Sequence, residues 1–210
     1  MKFLKGEFVL QKLQRISSLN NKRFAELSEE HQNKIDDAQI RSVVVDAGNN
    51  PSLRYEVFER LNRGSMALNE QEIRNCVYRG DFCDLLAVLE KEQIWRNVKG
   101  GNTPDPRFIE REMILRFFAF SNRVDFYKGS LKRFLSEYME KHAPRNGEQE
   151  KLTEQAEQFR NAMKNVCAVF GEHSARLYKA GETDSNPDGK WESNFSVSAL
   201  DIQASAFNRA

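Results

Sequence analysis

Asn62 and Glu72 lie on either side of a short polar segment between two predicted helices, and we call residues 55–75 the elbow. An amide oxygen at the end of one helix and a carboxylate in the first turn of the next could share a divalent metal ion. Arg60 or Arg63 could contact a phosphate, together with free backbone N–H groups at the start of the second helix. The elbow is therefore the first candidate for a ligand site.

A structural interpretation of the elbow uses the same residues. Gly64 suits the left-handed residue that ends a helix, and Asn69 with Glu72 has the spacing of a capping box. In this alternative the arginines are simply solvated. Residue types alone favour capping over a ligand site, and the position of the neighbouring elements has to decide between them.

Two strands and one helix are predicted before the elbow. Residues 7–13 and 39–46 are apolar enough for strands, the second with three consecutive valines. Ser28 followed by two glutamates predicts the start of a helix that runs to about Asp37. Pro51 suits the first turn of the helix that enters the elbow.

Helical periodicity dominates the rest of the chain. The segment 107–121 is the most hydrophobic and is predicted to be the central helix of a bundle. Polar loops are predicted at 98–106 and 180–194. The other helices are expected near 81–97, 129–142, 148–170 and 196–208.

Composition places the chain among globular proteins. It has 210 residues, of which 40% are hydrophobic and 30% charged, and a formal net charge of +1. A charge so close to zero gives no bulk electrostatic reason to bind nucleic acid. The sequence shows no apolar run of membrane-span length and no signal peptide, so we expect a cytoplasmic protein that does not enter a membrane.

Other reactive residue types show no catalytic pattern. The sequence contains no phosphate-binding Gly-rich loop, no paired-histidine metal motif and no nucleophile elbow. Cys76 and Cys83 are expected on one helical face as small core residues, and the three histidines are expected at the surface. Arg111 and Arg116 lie in the apolar 107–121 segment, where each should pair with a carboxylate. Seven aromatic residues are expected in the core, namely Phe117, Phe118, Phe120, Phe126, Tyr127, Phe134 and Tyr138.

A family resemblance is carried by the run Phe58-Glu59-Arg60-Leu61-Asn62-Arg63-Gly64, followed by Leu68, Glu72 and Asn75. With further matches at 5–8, 112–117 and 129–135, the chain resembles the N-terminal half of GmrSD-type modification-dependent restriction endonucleases and related phage-defence proteins. The resemblance implies a mainly α fold: a short N-terminal α+β remnant of a ParB-like domain, including the elbow, in residues 1–80, and a helical bundle in residues 81–210.

The resemblance also implies a site and its ligands. A nucleoside triphosphate with Mg²⁺ would bind at the elbow, and DNA is an implied partner. Glu59, Asn62 and Glu72 would contact the metal ion. The nucleotide contacts would come from Arg60, Asn62, Arg63 and Asn75.

The chain departs from the family pattern in two respects. The Asp-Gly-Gln-Gln-Arg-like motif expected before Lys5 and the downstream His-Asn-His nuclease motif are both absent from the sequence. We therefore expect a member shortened at its N-terminus that supplies part of the site, with a companion chain providing the missing motif or nuclease. The alternative is a non-catalytic helical protein-interaction module whose elbow is purely structural.

Overall fold

The computed structural model of the protein describes residues 3–39, 50–61, 67–180 and 189–207. The chain divides into two compact units, residues 1–46 and 47–210. Residues 47–80 thus belong to the same unit as the helices that follow them. The family-based boundary near residue 80 stays a prediction.

In residues 3–39, the described part of the first unit, a folded loop with two short 3-10 helices (Ser17–Leu19 and Phe24–Glu26) is followed by one α-helix. The backbone N–H of Leu10 donates to the carbonyl of Lys22 at 2.9 Å, and the N–H of Asn21 donates to the carbonyl of Leu10 at 2.7 Å. Helix α1 (Glu29–Asp36) follows Ser28, as predicted. The Ser28 hydroxyl bonds the Nδ1 atom of His31 at 2.6 Å and makes no hydrogen bond to the helix backbone.

The strand predicted at 7–13 is wrong. Lys12 has a φ of +58°, which is incompatible with an extended strand. The side-chain oxygen of Asn20 accepts from the N–H of Leu13 at 2.9 Å, so a side chain takes the place of a partner strand. The strand predicted at 39–46 lies almost entirely outside the described residues.

The regular structure in the described residues of the second unit is helical apart from one pair of short strands, which confirms the mainly α prediction. Strands β1 (Tyr178–Lys179) and β2 (Lys190–Trp191) pair in antiparallel fashion, with Tyr178 opposite Trp191. Strand β1 ends just before the polar loop predicted at 180–194, and β2 lies inside it. Within the described ranges, no helix is both long and apolar enough to cross a bilayer. The elements are α2 (Pro51–Leu61), α3 (Glu70–Val77), α4 (Asp81–Leu89), α5 (Gln93–Lys99), α6 (Ile109–Arg123), α7 (Leu131–Lys141), α8 (Gln149–Phe170), β1 (Tyr178–Lys179), β2 (Lys190–Trp191) and α9 (Val197–Ala206).

The helix predicted at 81–97 is two helices, α4 and α5, separated at Glu90–Glu92. Arginines from elsewhere bind both glutamates at the break. Arg111 donates from Nε and Nη2 to Glu90 at 2.9 and 2.8 Å, and Arg160 donates from Nη2 to Glu92 at 2.7 Å. The break turns α5 so that Trp95 is fully buried beside Phe159 of α8.

Helix α6 is the central helix, as its hydrophobicity predicted. It packs against α3, α4, α7, α8 and α9. Ile114, Leu115 and Phe118 are fully buried, and Phe118 lies with its ring centroid 5.2 Å from that of Phe117 and 6.1 Å from that of Phe159. The core of the second unit is thus built around one helix and the aromatic rings that it presents.

The two arginines embedded in the apolar part of α6, Arg111 and Arg116, pair with carboxylates, as predicted. Arg111 bonds Glu90, which is only 2% exposed, and Arg116 bonds Asp201 of α9. Burial raises the pKa of Asp201, and the neighbouring Arg116 charge only partly opposes the rise. The two partners lie 21 and 85 residues away along the chain, so each ion pair fixes α6 to a distant segment.

The two glutamates of α6 bind arginines that other helices supply. Glu110 accepts hydrogen bonds from Arg96 and from the indole N–H of Trp95, the latter at 2.7 Å. Glu112 accepts from Nη1 of Arg74 on α3 at 2.9 Å. Every charged side chain in the first two turns of α6 therefore binds a different neighbouring segment.

Two expectations about the core need correction. Cys76 and Cys83 lie on separate helices, α3 and α4, because the chain turns between them. Phe126 and Tyr127 are 58% and 40% exposed, since they fall in the turn after α6 and not on its buried face. The exposed Phe126 ring lies beside Arg123, whose guanidinium carbon is 5.7 Å from the ring centroid.

We predict that Arg74→Met destabilises the protein by about 3 kcal/mol. Arg74 is 1% exposed, and its loss leaves Glu112 and the carbonyl of Lys132 without their donor. Urea unfolding followed by circular dichroism measures the change. Arg133→Met on the exposed face of α7 is the control, with an expected change within about 0.5 kcal/mol. Equal small losses in both variants would contradict the proposed role of the buried pair.

Candidate functional site at the elbow

The second helix of the elbow begins with the predicted capping box. The side-chain oxygen of Asn69 accepts from the N–H of Glu72 at 2.8 Å, and Glu72 Oε2 accepts from the N–H of Asn69 at 2.6 Å. These two bonds satisfy backbone donors that the first turn of α3 would otherwise leave unpaired. The capping interpretation of Asn69 and Glu72 is confirmed.

Arg107 adds a second layer that the sequence analysis missed. Its Nη2 atom donates to Glu72 Oε2 and to the carbonyl of Ala67, both at 2.7 Å. Its own carbonyl accepts from the side-chain amide of Asn69 at 2.7 Å. We call these four residues, Ala67, Asn69, Glu72 and Arg107, the elbow clamp. The only sequence signal was an arginine just before α6, and such a residue by itself indicates no partner.

The clamp holds Glu72 in its charged form. Its hydrogen bond with Arg107, aided by the N–H of Asn69, lowers the pKa of Glu72 in spite of partial burial. The same contact raises the pKa of Arg107. One oxygen of Glu72 thus binds two donors, and the other accepts from Nε of Arg107 at 3.4 Å. The charged Glu72 carboxylate thus holds the first turn of α3 in position.

The first helix of the elbow is tied to α7 through Lys132. Its ammonium lies 2.5 Å from Glu59 and 3.1 Å from Glu70, and 5.5 Å from the ring centroid of Tyr55. Tyr55 also donates its hydroxyl proton to Glu70. Burial and this hydrogen bond raise the pKa of Tyr55. Glu59, a predicted metal ligand, is therefore paired with a lysine.

The remaining candidate residues lie apart from the clamp. Arg60 pairs with Glu56 one turn earlier on the same helix, and both are exposed. The Asn75 side-chain oxygen accepts from Gln71 at 3.2 Å, while its buried Nδ2 has no hydrogen-bond partner among the described residues. Each of the four described candidates contacts a different partner within the chain: Glu59, Arg60, Glu72 and Asn75. Asn62, Arg63 and Gly64 lie outside the described residues.

Arg74 is a further residue that sequence reasoning overlooked. It bonds Glu112, Gln71 and Ser136, at 2.9, 3.2 and 3.3 Å, and so joins α3 to α6 and α7. The rule that an arginine on an apolar helix face needs a carboxylate could have found it, because Ile73 and Val77 flank it. Its role is to position α3 behind the elbow.

In the part of the chain that the structure describes, no three His, Cys, Asp or Glu side chains are grouped so as to hold a metal ion. No known protein family, curated protein or solved structure matches the chain. The family resemblance and its site assignments stay predictions.

We predict that Asn69→Ala destabilises the protein by about 1 kcal/mol, because the start of α3 loses its side-chain acceptor. Thermal unfolding should show a midpoint lower by about 2–4 °C. The matched control is Asn165→Ala on the exposed face of α8, where alanine removes no cap and has the better helix propensity. A control loss as large as that at Asn69 would argue against the cap.

We predict that Glu72→Gln loses stability at neutral pH but not in acid. The folded-state pKa of Glu72 is lowered, so its charge stabilises the fold above the ordinary value of 4.5, and this stabilisation is lost as pH falls through the folded-state pKa. The difference in unfolding free energy between wild type and variant, measured by urea titration from pH 7 to pH 3, should shrink with acidification. In an Arg107→Gln background the difference should be smaller at every pH.

Proposed function

We propose that this chain is a cytoplasmic helical scaffold of a bacterial restriction or phage-defence protein, and that its elbow contributes part of an NTP-binding, DNA-modification-sensing module. The restriction or phage-defence assignment is supported by the residues shared with the family, above all 58–64 with Leu68, Glu72 and Asn75. The observation that carries the scaffold role is the elbow clamp. Two donors already bind Glu72 Oε2, which assigns Glu72 to positioning.

In this proposal the nucleotide contacts fall to the side chains nearest the bend. Arg63 would contact the phosphates, and Asn62 would contact the phosphates and the Mg²⁺ ion, which would neutralise part of the phosphate charge. The clamp and Lys132 would hold α2 and α3 so that the bend keeps one geometry. A companion segment or chain would complete the site, and DNA would bind to the assembled protein.

The competing proposal is a non-catalytic interaction module with a purely structural elbow. A specific observation favours it: Glu59, Arg60 and Glu72 each form an ion pair within the chain. Side chains already paired must give up a partner before they can bind a ligand, and that costs affinity. The two proposals differ in what happens when ATP and Mg²⁺ are added.

Calorimetric titration with ATP, with and without Mg²⁺, tests the proposal on the full chain. We expect Mg²⁺-dependent binding that Asn62→Ala and Arg63→Ala each weaken by about tenfold or more, as expected for loss of a charge-assisted contact. Their thermal midpoints should stay at the wild-type value. Lys164→Ala, an exposed cation on α8, is the control and should leave binding unchanged.

Two results would overturn the nucleotide proposal. The first is the absence of any heat of binding at about 1 mM ATP, which would mean that binding is weaker than about 4 kcal/mol. The second is binding that Asn62→Ala and Arg63→Ala leave unaltered. Either result would favour the interaction module with a structural elbow.

A further inference from the structure

A second polar site lies far along the chain from the elbow, where the end of α6 and the end of α7 meet the first half of α8. It is an open cleft of about 850 Å³, within the size range of small-molecule sites in proteins. We call it the α6–α8 cleft. Four cationic side chains and two carboxylates line it, so its lining is more positive than the whole chain, which carries +1.

The floor of the cleft is a network of amides around one hydroxyl. Asn122 Nδ2 and Gln155 Nε2 donate to the Tyr138 hydroxyl oxygen at 3.3 and 3.1 Å, and Gln158 Nε2 donates to the side-chain oxygen of Asn122 at 3.2 Å. Tyr138 itself is 2% exposed. The hydroxyl is thus fixed in place by two donors from two helices.

Two polar groups at the floor of the cleft lack a hydrogen-bond partner for one of their positions among the described residues. A tyrosine hydroxyl that accepts two hydrogen bonds still has one hydrogen to donate, and no acceptor for it lies among the described residues. Gln155 Oε1 is buried and likewise has no donor there. Buried polar atoms are normally paired, so a neighbouring donor and acceptor here fit a ligand hydroxyl, which can both accept and donate.

The rim supplies the charge. Arg123 and Arg145 form no ion pair with any described residue, whereas Lys141 and Lys151 pair with glutamates on their own helices. The Phe126 ring lies beside the Arg123 guanidinium, with 5.7 Å from the guanidinium carbon to the centroid. Burial and then the Arg123 charge lower the pKa of His142, which also lines the cleft. The local potential at this rim is positive.

We propose that the α6–α8 cleft binds a sugar phosphate, with the phosphate on Arg123 and Arg145 and a sugar hydroxyl between Tyr138 and Gln155. Guanidinium groups match phosphate through paired N–H donors, and a sugar hydroxyl matches the donor and acceptor of the floor. The ligand could be a free sugar phosphate or the sugar phosphate of a nucleotide. This inference does not depend on the elbow.

Titration of the full chain with ribose 5-phosphate and with AMP tests the site, and ribose and inorganic phosphate serve as part-ligands. We expect both whole ligands to bind in the micromolar-to-millimolar range, more tightly than either part. Arg123→Gln and Arg145→Gln should each weaken binding about tenfold. Tyr138→Phe should weaken ribose 5-phosphate but leave inorganic phosphate unchanged. Preference for AMP would identify a nucleotide, and equal binding a free sugar phosphate.

The controls separate this site from the elbow. Lys164→Gln, an exposed cation on α8 outside the cleft, should leave the affinity for ribose 5-phosphate unchanged, and so should Asn62→Ala and Arg63→Ala. The inference is overturned by no binding at about 1 mM, by full affinity in both arginine variants, or by inorganic phosphate binding as tightly as ribose 5-phosphate. Loss of binding in the elbow variants alone would also overturn it.

Discussion

Helix α6 must bury charged side chains at the centre of the second unit, and the surrounding helices are arranged to pair them. Glu110 and Glu112 face arginines from α5 and α3, while Arg111 and Arg116 face carboxylates from the end of α4 and from α9. An unpaired buried charge costs several kcal/mol, so removal of one partner affects the helix that carries the other. Aromatic and aliphatic side chains together form the apolar core, and the ion pairs link α6 to the helix on each side.

The same need to pair charged and polar groups holds within the elbow, at the start of α3. Asn69 and Glu72 satisfy the first turn of α3, and Arg107, just before α6, binds both the carboxylate and the carbonyl of Ala67. Behind them Arg74 joins α3 to α6 and α7. The start of α3 is therefore held from the α6 side, and Asn69 and Glu72 have a structural role there. A ligand role for Asn62 and Arg63 stays a proposal.

The two proposed sites use cations differently. Beside the elbow, Lys132 and Arg107 are engaged by Glu59, Glu70 and Glu72, so these two cations are already paired within the chain. In the α6–α8 cleft, Arg123 and Arg145 have no carboxylate partner among the described residues and lie at the rim of a polar cavity. Ion pairing within the chain competes with ligand binding, so the cleft is the better preformed anion site.

Local sequence patterns were enough to determine the mainly α class, the central position of α6, the capping box and the need of Arg111 and Arg116 for carboxylates. Each depends on residues within a few positions of one another, where helical periodicity and capping act. Several missed features are long-range: the contacts at the break between α4 and α5, Arg107 on Glu72, Arg74 on Glu112, and the amide floor around Tyr138. At the break, Glu90 and Glu92 bind Arg111 and Arg160, and no spacing within residues 81–97 encodes these partners. Only the tertiary structure decides such contacts, because the energy of a buried charge or amide depends on which distant group reaches it.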